Sequence, residues 1–270
     1  MDNLQQTSTL GQSPSNRSPL AFFILVFVLA IPFWVIGGLT GFQLLPGLPV
    51  TALMAVCPAL AALILAYREN RSAGMTVLLK RAFDYKRIKA KVWYAPILLL
   101  MPVVMVMSFA VMRLTGTSVP DPIIAVLPTV ILVVVFFISA LCEELGWSGY
   151  AIDPMQHRLG ALHASIVLGS VCAIFHYVAL VQADRSVAWI AWWSLSTVAL
   201  RVIIVWLYNN TGKSVFAVSL LHMMFNVTWQ LFPVNGSYYD PRVSGSIMAL
   251  VAVIVIVIWG PQTLTGHGKT

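Results

Sequence analysis

Eight long apolar windows dominate this chain, at roughly 20–39, 46–67, 92–112, 122–142, 161–181, 187–208, 214–232 and 244–260. As helices, apolar stretches of about 17–25 residues match the hydrocarbon thickness of a bilayer. Inside that layer only helices and closed barrels satisfy their own backbone polar groups. The windows are too long and too continuous for barrel strands, whose hydrophobicity alternates over short segments. With 59% hydrophobic and 9% charged residues, the chain is excluded from the ordinary soluble class. The expected fold is all-α: a polytopic membrane helical bundle of about eight transmembrane helices.

Charge sets the expected orientation. The net charge of +7 is concentrated between the second and third windows, at Arg68, Arg71, Lys80, Arg81, Lys86, Arg87, Lys89 and Lys91. Cytoplasmic loops carry the excess of lysine and arginine, and such a loop lies against anionic lipid rather than nucleic acid. With this loop inside, both termini are cytoplasmic. Arg17, Arg158, Lys213 and Lys269 then also fall inside, and Arg113, Arg185 and Arg242 outside. The chain is expected to be an integral protein of a bacterial cell membrane, with the bilayer as a partner and no nucleic acid.

No internal repeat and no soluble domain is visible. The polar stretch 1–18 reads as a disordered cytoplasmic tail, residues 19–260 as one transmembrane domain and 261–270 as a short cytoplasmic tail. The first window is preceded by that polar stretch and its apolar core is too long for a cleaved signal peptide. Residues 143–160, with Gly146, Gly149 and Pro154, are expected to continue the fourth helix for a turn or two and then break. Cys57, Cys142 and Cys172 have no close-spaced pair, so neither a disulfide framework nor a thiolate zinc site is expected.

The chemistry gathers within 122–232. Glu143 and Glu144 are two of only three glutamates, and they directly follow the uncharged run 122–142. Acids at membrane depth are costly and mark functional cavities. Adjacent helical residues point about 100° apart, so one carboxylate faces the cavity while the other braces a neighbouring helix. A carboxylate in a dry pocket is suited to take a proton from water. His176 lies in the fifth window, and His222 with Asn226 in the seventh. The i, i+4 spacing puts that imidazole and amide on one helix face, a pair suited to donate hydrogen bonds to a developing oxyanion. Arg201, inside the sixth window, either pairs with Glu144 or Glu143 or snorkels to the surface.

These residues resemble the CPBP family of intramembrane proteases, which includes the type II CAAX prenyl proteases and bacterial relatives. The family pattern is Glu-Glu-x-x-x-Arg, Phe-x-x-x-His and His-x-x-x-Asn on successive helices. Glu143-Glu144, His176, and His222 with Asn226 match it, as do the surroundings Glu143–Trp147, Arg81–Lys86 and Tyr208–Thr211. Ser148 stands where the motif has arginine, and Cys172 where it has phenylalanine. The resemblance implies an intramembrane endopeptidase acting on a membrane-associated peptide or protein. In it Glu143, Glu144, His176, His222 and Asn226 form the catalytic set, with Glu143 and His176 activating water and His222 and Asn226 steadying the oxyanion. Zinc held by Glu143, His176 and His222, or a metal-free, glutamate-activated water, both fit the pattern. The competing readings are a catalytically degenerate immunity or scaffold protein and a proton- or cation-coupled transporter. The site is expected to open toward the cytoplasmic half.

Overall fold

The structure, a computed structural model, describes residues 17–45 and 48–265. Most of the tail expected at 1–18, and residues 266–270, lie outside the described residues. Helix α1, Pro19–Thr40, starts with Ser18 accepting from the Ala21 amide and with proline in its first turn, and ends at Gly41 in left-handed geometry, φ 60°. Such capping uses the side-chain oxygen to satisfy an amide the helix cannot and glycine to reverse the chain at low cost. A small antiparallel hairpin, β1 (Gln43–Leu45) with β2 (Leu48–Pro49), follows. A 3₁₀ turn, Val50–Val56, then leads into α2, Cys57–Lys80. Within α2 the backbone leaves helical geometry at Asn70 and Arg71, where φ reaches 52°, and the basic segment begins there.

The remaining helices are α3 (Tyr94–Leu114), α4 (Val126–Gly146), α5 (Ile152–Leu159), α6 (Ala161–Gln182), α7 (Val187–Asn210), α8 (Val215–Leu231) and α9 (Pro241–Trp259). Among the described residues seven helical segments are long and apolar enough to cross a membrane, and α8 is a shorter apolar helix of 17 residues. Together they correspond one for one to the eight windows. The fold is a polytopic helical bundle, as composition demanded.

The fourth window differs from expectation in one respect. Its helix does not break after a turn or two but runs on through a π-helical turn, Trp147–Ala151, into α5. The whole segment Val126–Leu159 is one continuous rod of 34 residues. Gly146 is needed for close approach: a Cβ there would sit 2.5 Å from the Pro58 carbonyl oxygen of α2.

Packing makes α7 the hub. It lies against α6, α8 and α9, while α4 lies against α2 and α8, and most of the inner half of α7, Ala199–Tyr208, is buried. At the end of the bundle that carries the basic segment, the chain is tied shut. Half-buried Arg81 donates to the Gly149 carbonyl at 2.7 Å, the Tyr208 hydroxyl at 2.7 Å and the Lys213 carbonyl at 2.8 Å. Tyr208 in turn donates to Asp153 at 3.1 Å, and Lys213 pairs with the same carboxylate at 2.9 Å. Asp84 accepts from the Ser214 hydroxyl and from the Val215 and Phe216 amides, which anchors the first turn of α8. An acid at a helix N-terminus is favourably placed against the helix dipole. Deeper in, Phe22 packs edge-on against Trp147 with centroids 5.4 Å apart and also meets Tyr150.

Candidate active site

The two adjacent glutamates have separate fates, as their 100° offset requires. Glu144 is fully buried and lies in a polar knot between α4, α7 and α8. Its Oε2 accepts from Arg201 Nη1 at 2.8 Å and from the Ser148 hydroxyl, while its Oε1 accepts from His222 Nδ1 at 2.9 Å. Arg201 is 4% exposed, so it pairs rather than snorkels. Its other terminal nitrogen lies 3.5 Å from Cys172 Sγ. A buried charge is tolerable only when paired and hydrogen-bonded, and here every member of the knot has a partner.

Glu143 faces a cavity of about 310 Å³. Its Oε2 accepts from the Trp147 indole at 3.4 Å and stands 4.0 Å from His176 Nε2. The other face of that imidazole is fixed: His176 Nδ1 lies 2.8 Å from the Cys172 carbonyl oxygen. A carbonyl only accepts, so Nδ1 carries the hydrogen and the Nε2 lone pair of the neutral ring is aimed toward Glu143. Trp193 packs against the ring with centroids 5.3 Å apart. His222, Asn226, Cys172 and Arg201 share the cavity wall with Glu143 and His176, whereas Glu144 lies behind it. The five residues singled out in the sequence therefore converge, four on the cavity and one on the support for His222.

Two contributors lie outside the expected catalytic set, Trp147 and Trp193. Trp147 touches Glu143 because it follows one helical turn later, a spacing that carries no signal when the residue is apolar. Trp193 reaches His176 only through the packing of α7 on α6. Arg201, by contrast, announced itself as a cation inside an apolar window.

The donor types of Glu143, His176 and His222 suit zinc, and the Glu144 carboxylate on His222 resembles the outer support that metal-bound histidines have. Their placement does not fit a ligand set. Among the described residues no three His, Cys, Asp or Glu side chains are grouped tightly enough to hold a metal ion. No step is therefore routed through one.

Fold and site together define a polytopic membrane protein with an acid–imidazole cavity sunk among its spans. Residues 125–228, which contain α4 through nearly all of α8 and every residue just described, match the family model described as Type II CAAX prenyl endopeptidase Rce1-like. The chain is also 24% identical over 269 residues to CAAX prenyl protease 2 of Methanococcus maripaludis, an alignment that covers 91% of this chain and 95% of that protein. The resemblance to type II CAAX prenyl proteases that the motifs carried is thus upheld over the site and over most of the chain.

Proposed function

We propose that this protein is an intramembrane endopeptidase that cuts a membrane-associated polypeptide with a water activated by Glu143 and His176. One observation supports the reading above the others: a carboxylate oxygen and an imidazole lone pair face each other across 4.0 Å on a cavity wall. Neither atom donates when the ring carries its hydrogen on Nδ1, and the gap is too long for a direct hydrogen bond. A water placed between them donates to both and keeps an oxygen lone pair for the substrate.

In the proposed reaction that oxygen attacks the peptide carbonyl carbon while one of its protons passes to Glu143. Glu143 returns the proton to the nitrogen of the leaving amine as the C–N bond breaks. The Asn226 amide donates to the tetrahedral oxyanion, and His222 joins it from Nε2 in its imidazolium form. Glu144, Arg201 and Ser148 are positioning residues that hold His222 by its Nδ1.

The test is cleavage of an internally quenched, lipid-anchored apolar peptide by the purified protein in lipid nanodiscs, with products identified by mass spectrometry. Asn226→Ala is expected to lower kcat by about 10²–10³-fold, the usual cost of one oxyanion donor, with KM nearly unchanged. An unchanged kcat would remove Asn226 from the oxyanion role. Complete absence of cleavage by the folded wild type would favour the scaffold reading. Because the three ligand candidates are not grouped, cleavage is expected to survive dialysis against a strong chelator. Loss of activity restored by added zinc would assign the metal instead.

A further inference from the structure

We propose that residues 68–93 form a docking face for anionic phospholipid of the cytoplasmic leaflet, and that lipid bound there steadies the ends of α4, α7 and α8 that carry the site. Neither half needs the protein to be a peptidase.

The sequence places this stretch near lipid only by its charge; the fold gives it a face. Glu69 and Asp84 are its two acids, and both turn inward. Glu69 accepts from the Tyr150 hydroxyl and pairs with Arg17 at 3.4 Å, while Asp84 holds the first turn of α8. Every Lys and Arg of the stretch except Arg81 is exposed. Among the described residues Lys80, Lys86, Lys89 and Lys91 have no acidic partner. The outward surface is thus cationic without a neutralising acid.

Apolar side chains stand beside those cations. Phe83 is 65% exposed and Val92 71%, and Val77 and Tyr85 are exposed as well. The backbone brings them to the edge of the bundle. Helical geometry fails at Asn70 and Arg71, and the chain folds back so closely that a Cβ on Gly74 would collide with the Ala66 carbonyl oxygen. In a straight helix those residues would lie about 12 Å apart along the axis. The chain therefore leaves the line of the span at Arg71, and α3 takes it up again at Tyr94. Cations mixed with exposed apolar side chains are the composition of segments that lie in the membrane interface. Lysine and arginine excess places this end in the cytoplasm, where the leaflet carries anionic lipid. A soluble polyanion would meet the same charges but leave Phe83 and Val92 in water, which favours the lipid.

Two inward residues of the stretch tie this face to the site. Arg81 bonds to the Gly149 carbonyl, in the π turn that follows Glu143 and Glu144, and to Tyr208, two turns beyond Arg201 on α7. Asp84 accepts from the Val215 amide, two turns before His222 on α8. Lipid held at Lys80 and Lys86 therefore restrains the segment that clasps all three elements.

The first experiment is native mass spectrometry of the full chain in detergent with equimolar phosphatidylglycerol and phosphatidylcholine of the same acyl chains. The wild type is expected to retain phosphatidylglycerol in preference by about 10-fold or more, since each Lys or Arg near an anionic surface adds to the attraction. Lys80→Gln, Lys86→Gln, Lys89→Gln and Lys91→Gln together are expected to abolish the preference with melting in detergent unchanged. Equal retention of the two lipids by the wild type overturns the proposal, as does an undiminished preference in the folded fourfold variant. Displacement of the lipid by soluble polyglutamate would assign the face to an acidic protein and overturns it too. The second experiment needs no variant. Hydrogen exchange of residues 72–93 and 211–222 is expected to be at least 3-fold slower in phosphatidylglycerol nanodiscs than in phosphatidylcholine nanodiscs at low salt. That difference is expected to vanish at about 1 M salt, where exposed charges are screened. Exchange over 211–222 that is the same in both lipids overturns the steadying of the site.

Discussion

Glu143→Gln is expected to lower kcat/KM for peptide cleavage by about 10²–10⁴-fold, the range that a positioned general base contributes. The substitution keeps the shape of the side chain and an oxygen to accept from Trp147 Nε1, which lies 3.4 Å away, but the amide takes no proton from water. Folding should be preserved, since among the described residues no Lys or Arg forms a salt bridge with Glu143 and its ion-pair partner is His176 at 4.0 Å. Progress curves and thermal unfolding measured on the same preparation check both halves. A variant that cleaves at the wild-type rate would end the proposed mechanism. A variant that loses activity and melting temperature together would make Glu143 a structural acid.

Arg201→Met is expected to destabilise the protein by about 3–5 kcal/mol, the cost of stranding one member of a buried ion pair. Glu144 has no solvent contact, so removing the guanidinium leaves its charge facing only the Ser148 hydroxyl and His222. Glu144→Leu combined with Arg201→Met should recover most of that loss, because a buried pair exchanged for apolar groups of similar volume is often neutral or better. Activity should not return with stability, since His222 Nδ1 no longer has the carboxylate that lies 2.9 Å from it. Unfolding of the two single variants and the double variant completes a cycle that isolates the coupling. Additive losses would show that the pair is not energetically joined. A fully active double variant would show that His222 needs no support.

The spans were legible because bilayer thickness imposes a length on any apolar helix, and no tertiary contact can override it. The convergence of Glu143, His176, His222 and Asn226 was legible for a related reason: polar groups that are costly in lipid have to meet one another. The departures from the family motif were legible as substitutions, but their meaning was not. Ser148 leaves room beside Glu144, and Arg201 fills it from another helix, its Nη1 on the same carboxylate oxygen that accepts from Ser148. An arginine at 148 would bring a second guanidinium to an oxygen that already has one. Cys172 presents a sulfur 3.5 Å from Arg201 Nη2, in space that a phenylalanine ring would occupy. Partners on separate helices leave no spacing pattern, so neither compensation could be read along the chain.

The π-helical turn Trp147–Ala151 has a consequence for recombining this chain with its relatives. A π turn inserts one residue into an otherwise α-helical rod, and each α-helical residue advances the azimuth by about 100°. Everything beyond Ala151 is therefore out of phase with the face on which Glu143 and Glu144 stand. That offset is what turns Asp153 toward Tyr208 and Lys213. Deleting one residue within the turn would let it close as ordinary α-helix with α5 still at its clasp, whereas a deletion elsewhere between Glu144 and Asp153 that left the π turn intact would rotate α5 by about 100°. A chimera must therefore take the helix on both sides of the turn from one parent.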